Sequence, residues 1–481
     1  MSRSPFFLPL IIACALFMEN MDGTIIATSL PAIARDLGQD PVALKLALTS
    51  YYVSLAVFIP ASGWVADRFG ARTVFCSAIA VFVLGSVFCG VSSSLEGFVF
   101  ARFIQGIGGA MMVPVGRLVL LKTVDKRDLV KALSYLTFPA LLGPVIGPPL
   151  GGFITTYWHW RWIFFINVPI SLVGISLALK FVPQIREEDA GRFDLRGFLL
   201  SGVGLAMLML GLATAGQHLL SLPASIGCAV VGLLVLVGYF WHEKRTERPV
   251  LDFKYLRIPT YRIGVIAASL FRIGVGATPF LLPLMLQLGF GMSPLESGLL
   301  TCMSAVAAMF MKTLASRILR AWGFRTVLMF NGLIASATIA AYGLFTPLTP
   351  HLVMVLVLFF GGFSRSLQFT SVNALQYADI DKRVMGPASG FANVAQQLSL
   401  SMGVTIGAYT LQAVSRLSGH ATLQPTDFSL AFVVVGCVAA LAFFFNRQLA
   451  QTAGDEVAGR DVVPVAPDPI GAQGVQQEPV K

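Results

Sequence analysis

Apolar residues run along the chain in stretches of about twenty, separated by short polar breaks. A helix rising 1.5 Å per residue needs that length to cross a hydrocarbon core of roughly 30 Å. The alternating ten-residue pattern of an outer-membrane barrel does not recur, so the spans read as helices, whose backbone donors and acceptors pair within their own segment. The pattern predicts about fourteen spans, at roughly 6–33, 44–66, 73–95, 97–121, 132–156, 160–182, 197–215, 219–241, 263–289, 297–319, 324–346, 351–376, 386–411 and 427–446. A charged break holding Arg186, Glu187, Glu188, Asp189 and Arg192 follows the sixth span, and a second, from His242 to Arg262, follows the eighth. The expected organisation is a six-helix half at 1–183, two inserted helices with charged loops at 184–262, a second six-helix half at 263–446, and a polar tail at 447–481 whose composition predicts disorder.

Composition agrees with a bilayer protein. Of the 481 residues 56% are hydrophobic and 12% charged, a balance that leaves too little polar surface for a soluble domain. With the N-terminus inside, most of the 34 basic residues fall in cytoplasmic segments. Only Arg35, Lys45, Arg161 and Arg416 then lie in outer loops, and Arg102, Arg117, Arg272 and Arg365 in spans. Both termini are therefore expected in the cytoplasm of a bacterial-type inner membrane. The net charge of +10 is accounted for by topology, without a nucleic-acid partner. All six cysteines sit inside predicted spans with no CxxC spacing and read as small core residues. The first apolar stretch carries Glu19 and Asp22 and is too long for a signal peptide, so it reads as a retained helix.

Gly70-Ala71-Arg72-Thr73-Val74 at the start of the third span is echoed by Gly323-Phe324-Arg325-Thr326-Val327 at the start of the eleventh, as expected of two parallel repeats. Several motifs sit on that frame. Gly63, Asp67, Arg68, Gly70 and Arg72 mark the turn between spans 2 and 3, where Asp67 is placed to meet a helix N-terminus or a cation such as Arg117. Arg102, Gln105, Gly106, Gly108 and Gly109 share span 4, and a cation there needs a counter-charge or water. In span 5 Gly143, Gly147 and Gly151 recur every four residues beside Pro144, Pro148 and Gly152, forming a smooth ridge on a bent helix. Trp158, Trp160 and Trp162 suit the outer membrane interface. Together these stretches resemble the major facilitator superfamily, specifically its fourteen-helix drug:proton antiporters. That resemblance implies an all-α facilitator fold and a latch at the Asp67 turn, which would be one-sided because Arg320 stands at the matching place in the second half.

Glu19 and Asp22 are the acids that the predicted topology leaves well inside a span, three residues apart on one helical face. A carboxylate there can load and release a proton as its access changes, so Asp22 is expected to couple protons, with Glu19 as its partner and Arg102 as the tuning cation. Gln105, Arg272, Gln287, Arg365, Gln368, Asn373 and Gln396, with Asn393 and Gln397 nearby, are expected in a substrate cavity that Phe and Met would make adaptable. No P-loop, metal-ligand cluster or activated nucleophile is present in the sequence, so no enzymatic activity, metal or cofactor is expected. The leading expectation is proton-coupled efflux of amphiphilic compounds by a monomer, with an export accessory protein as a partner to consider. The alternatives are an exporter dedicated to one metabolite or organic anion, with Arg272 and Arg365 binding it, and a membrane receptor or assembly factor that does not transport.

Overall fold

The computed structural model describes residues 7–124, 129–187, 191–215, 220–381, 384–420 and 422–460; Glu188, Asp189 and residues 461–481 of the expected tail lie outside the described residues. It is helical throughout that range, with no strand among the described residues. Thirteen helices are long and apolar enough to cross a bilayer: α1 (Leu8–Asp36), α2 (Pro41–Phe69), α3 (Ala71–Val91), α4 (Leu95–Thr123), α5 (Tyr135–Tyr157), α6 (Trp162–Phe181), α7 (Leu195–Thr214), α8 (Leu222–Glu243), α9 (Pro259–Gly289), α10 (Pro294–Trp322), α11 (Phe324–Leu344), α12 (His351–Gln376) and, last in the chain, Pro425–Asn446. Between the last two lies α13 (Met385–Leu417), as long as the others but diluted by Asn393, Gln396, Gln397 and several serines; Pro425–Asn446 is then α14.

Local chemistry sets the boundaries. Ser94 caps α4 by accepting from the Gly97 amide at 3.1 Å, and Ser293 and Glu296 form a reciprocal capping box at the start of α10. Gly70 and Gly323 both turn the chain at positive φ, +92° and +74°, which L side chains rarely adopt. The sequence echo therefore marks two copies of one turn, each opening a helix.

Within the first six helices α1 lies along α5, α4 contacts α2 and α3, and α6 rests on α3 and α1. Within the last six α9 packs on α13 and α14, and α12 on α10 and α11. The two groups meet where α5 crosses α10 and where α2 crosses α13. The pair α7 and α8 forms a hairpin zipped through Gly204, Gly211 and Gly232, with Thr214 and Ser225 hydroxyls 3.0 Å apart, and α7 touches both α2 and α13.

Three sequence expectations change here. Residues 447–460, expected in the disordered tail, fold against the start of α11 with Leu449 and Ala453 buried beside Phe324 and Val327, because a short apolar stretch there finds an uncovered helix end. Trp160, expected at the membrane interface with its neighbours, is 3% exposed and packs on Phe98 and Phe164, while Trp158 and Trp162 stay exposed. Cys14 and Cys437 face outward instead of lying in the core.

The glycine ridge of α5 seats the acid-bearing helix. A Cβ at Gly143 would stand 2.8 Å from the Met21 amide nitrogen, one at Gly147 would meet Thr24 and sit 3.1 Å from the Met21 carbonyl, and one at Gly151 would press on Ile25. Gly152, on the adjacent face, is set against α10, where a Cβ would come 2.8 Å from Leu295 Cα. Pro144 and Pro148 remove backbone donors along this helix without breaking it. Gly147→Leu is expected to give inserted, folded protein whose α1 is pushed off α5, with transport by membrane vesicles reduced at least tenfold; transport at the wild-type rate would show that the close approach is dispensable.

Candidate functional site

The centre of the first half is a buried polar network in which Arg102 Nε and Asn167 Oδ1 have no hydrogen-bond partner among the described residues. Asp22 is fully buried on α1, and its two carboxylate oxygens accept from three side chains: Arg102 at 2.7 Å, Gln105 at 2.8 Å and Asn167 at 3.0 Å. Arg102, 1% exposed on α4, also donates to Gln105 Oε1 at 2.5 Å and lies over the Tyr51 ring at 4.6 Å. Ser86 closes the cluster, 2.7 Å from Gln105 and 3.1 Å from Asn167. Arg102 thus answers its burial with a counter-charge, an amide and an aromatic face rather than by reaching for headgroups. Gly85 makes the arrangement possible, because a Cβ there would stand 2.5 Å from the Gln105 backbone nitrogen.

Glu19 has a different environment. It is half-buried one turn below Asp22, its Oε2 has no hydrogen-bond partner among the described residues, and its Oε1 approaches Gly109 beside the Tyr51 hydroxyl. Four residues along α1, Gly23 opens onto empty space, so the Glu19 face of α1 borders an unfilled region. Arg117 on α4 is exposed and within electrostatic reach of Glu19, of Lys312 on α10 and of Tyr377 beyond α12.

The residues expected in a substrate cavity disperse. Gln105 belongs to the Asp22 network, since a buried amide is held where it has both donors and acceptors to serve. Gln368 is 1% exposed and ties α12 to Asn331 and the Leu328 carbonyl of α11, which makes it a packing residue. Gln287 donates to the Thr28 carbonyl at 2.8 Å, pinning α9 to α1, where one wider helical turn at Met285–Gly289 swings it across. Arg272 and Asn373 do come together, at 2.7 Å, with Arg272 2% exposed and its Nε unpartnered. Arg365 stands apart, half-buried and bonded to the Gly361 carbonyl, and Gln396 is half-buried on α13.

The two ends of the bundle differ. At the Asp36 end the halves are pressed together: Gly298 of α10 sits on Pro148 and Pro149, the Leu295 amide donates to Thr156 at 3.2 Å, and Lys45 of α2 lies 3.8 Å over the Tyr409 ring of α13. Asp36 holds Arg161 at 2.5 Å and Trp160 at 3.2 Å, closing the first half on itself. At the opposite end Asp67 pairs with Lys122 at 3.1 Å, and Lys122 also meets Glu187 at 2.5 Å, while Arg68 is exposed and Arg72 half-buried. The expected cation, Arg117, is not the partner: it lies five residues, about 7.5 Å of helix rise, deeper along α4. Gly63 has open space at its Cβ position.

Sequence reasoning missed Ser86 and Lys122, gave Asn167 and Lys312 no role, and placed Lys45 in an outer loop. Lys312 lies within α10, and Lys45 is fully buried. Asn167 had a signal, as an amide opening an otherwise apolar span; a serine at 86 had none.

Breaking a buried ion pair from one side leaves a charge without compensation, at roughly 3–5 kcal/mol. Asp22→Asn is therefore expected to lower the thermal unfolding midpoint of the purified protein markedly, and Arg102→Met with Asp22→Asn to recover part of that loss. An Asp22→Asn midpoint equal to wild type would show that the network is not what stabilises the first half.

Known proteins share this sequence and shape. The Major Facilitator Superfamily profile matches residues 12–404. A protein of Serratia proteamaculans, named provisionally as multidrug resistance protein MdtD, is 39% identical over 396 residues, 82% of this chain and 83% of its own. A Yersinia enterocolitica protein of the same name is 36% identical, covering 92% and 95%. Among solved structures, a D-xylose-proton symporter aligns with a TM-score of 0.69 at 16% identity, over 93% of this chain and 99% of that one. A POT family transporter in complex with 5-aminolevulinic acid aligns at 0.65 and 14%, over 92% and 94%. With the all-helical bundle and the paired Gly70 and Gly323 turns, these matches establish that the chain belongs to the Major Facilitator Superfamily.

Proposed function

We propose that the protein is a proton-coupled exporter of amphiphilic small compounds in a bacterial inner membrane, with both termini cytoplasmic and the Asp36 end outward. In this reading the halves at 1–183 and 263–446 rock about α5–α10 and α2–α13, exposing a central cavity to one side at a time. The structure described above is then closed outside.

The observation that carries the reading is the contrast between the two intramembrane acids. Asp22 accepts three hydrogen bonds, one from a guanidinium, so protonating it would break the network that compensates Arg102. Glu19 has a buried oxygen that no donor occupies among the described residues, so it can take a proton without disrupting a partner, and Gly23 on the next turn of α1 has space beside it. The proton-coupling role expected of Asp22 is therefore proposed for Glu19, with Asp22 and Arg102 as the fixed pair behind it. The family's relatives named for multidrug resistance support the export direction and the substrate class.

A second reading, an exporter dedicated to an organic anion, is favoured by Arg272, whose buried guanidinium faces no acid in the contacts described, and by Arg117 of the first half and Lys312 of the second, which lie within electrostatic reach of one another. Its mark would be loss of anion transport in Arg272→Gln with dye efflux unaffected.

The test uses compounds to which overexpression gives resistance in a pump-deficient host, measured in everted vesicles with an imposed pH gradient. Glu19→Gln is expected to keep wild-type abundance and thermal stability, to retain substrate exchange without a gradient, and to lose pH-driven accumulation at least tenfold. Wild-type accumulation in Glu19→Gln overturns the assignment.

A further inference from the structure

The contact between Lys45 and Tyr409 joins the two halves, and its chemistry is unusual. Lys45 is fully buried near the start of α2, and its ammonium has no hydrogen-bond acceptor among the described residues. Asp40, on its own side, attracts it, and Arg416 on α13 repels it. What faces the ammonium is the Tyr409 ring, with the nitrogen 3.8 Å from the centroid. A desolvated cation gains most from an aromatic face, yet that gain replaces only part of the hydration it gave up. The Tyr409 hydroxyl donates to the Leu212 carbonyl near the end of α7, so the ring is held in place by the inserted hairpin. That hairpin is itself stiff, since Gly211 lets α7 and α8 approach within backbone contact.

A cavity lies close by. A vestibule of about 600 Å³ on the same end is lined by Asp40, Val42, Gln412 and Arg416. Val42 and Gln412 lie three residues from Lys45 and Tyr409, one helical turn above each. Separation of α2 from α13 would extend that vestibule onto the ammonium and hydrate it.

We infer that Lys45 and Tyr409 are the gate residues that set the balance between the closed and open states of this end, with Lys45 driving opening and Tyr409, anchored on α7, opposing it. This rests on the alternating-access reading but not on which acid carries the proton. The inserted helices thereby gain a role, holding the restraining ring without entering the transport path. The two residues then have opposite signs. Removing the charge removes the reason to open, whereas removing the ring leaves the buried charge without the aromatic face that compensates it.

The experiment is a spin-label distance measurement across the gate in lipid nanodiscs, with labels at Gln39→Cys and Leu348→Cys, both exposed at the Asp36 end, and the exposed Cys14 and Cys437 replaced by serine. Tyr409→Leu is expected to raise the share of the long distance at least threefold over the parent. Lys45→Met should lower it below the parent. Tyr409→Leu added to Lys45→Met should change nothing further, because the ring then has no charge to compensate. Tyr409→Phe, which keeps the ring and drops the α7 tether, should fall between the parent and Tyr409→Leu, and it carries the test if the leucine variant does not fold. A Tyr409→Leu shift of the same size in the Lys45→Met background would mean that the ring acts by packing alone and overturns the proposal. So would unchanged distances in both Tyr409 variants. Because the readout is a distance without a gradient, a failed Glu19→Gln transport test leaves this result standing.

Discussion

An arginine in the middle of a hydrocarbon layer must be supplied with counter-charge and hydrogen-bond acceptors by the protein, and much of the first half is arranged to supply Arg102. Asp22 comes from α1, Gln105 from the same helix as the arginine, Asn167 from the start of α6, Ser86 from α3 and the Tyr51 ring from α2. Five helices must therefore keep register to within a hydrogen bond. The glycines at 85, 108, 143 and 147 are the means, since each sits where a Cβ would collide with a neighbouring backbone or side chain. In a bilayer, where lipid tails are as apolar as leucine, such close approach and polar pairing are what hold helices together.

In the proposed reading that constraint also sorts the two acids into different roles. The group that compensates a permanent cation is poorly suited to give up its charge in every cycle, and the group left without donors is free to do so. Asp22 and Glu19 stand three residues apart on one helix, so a movement of α1 along the glycine ridge of α5 shifts both at once. The adjacent face of α5, at Gly152 and Pro148, touches α10 of the other half. Gate closure at the Asp36 end and the surroundings of Glu19 are thus mechanically joined through α5. This is a contact path with one observed arrangement; the coupling itself is what the variants above measure.

Much of this architecture was legible in the sequence, because bilayer crossing imposes a length and a polarity that composition alone reveals. The span count and the closeness of Asp22 to Arg102 followed from residues that are costly in hydrocarbon, and the repeat from the echoed stretches at Gly70 and Gly323. What the sequence hid is direction. Gln105, Gln287 and Gln368 are equally polar in the one-dimensional string, yet they serve a buried network, an inter-half pin and a packing contact, because rotation of each helix decides which neighbour its amide meets. Lys45 looked like a loop charge since it lies at a helix start, and only the crossing of α2 with α13 buries it. Lys122 displaced Arg117 as the partner of Asp67 for a similar reason, a difference of five residues in depth.

The division of roles between the two acids is tested most directly by infrared difference spectroscopy of the purified protein in lipid, titrated across the physiological pH range. The expected result is a protonated-carboxyl band from within the membrane that changes with pH and is absent from Glu19→Gln. A titrating band that survives unchanged in Glu19→Gln would place the proton elsewhere and contradict that division.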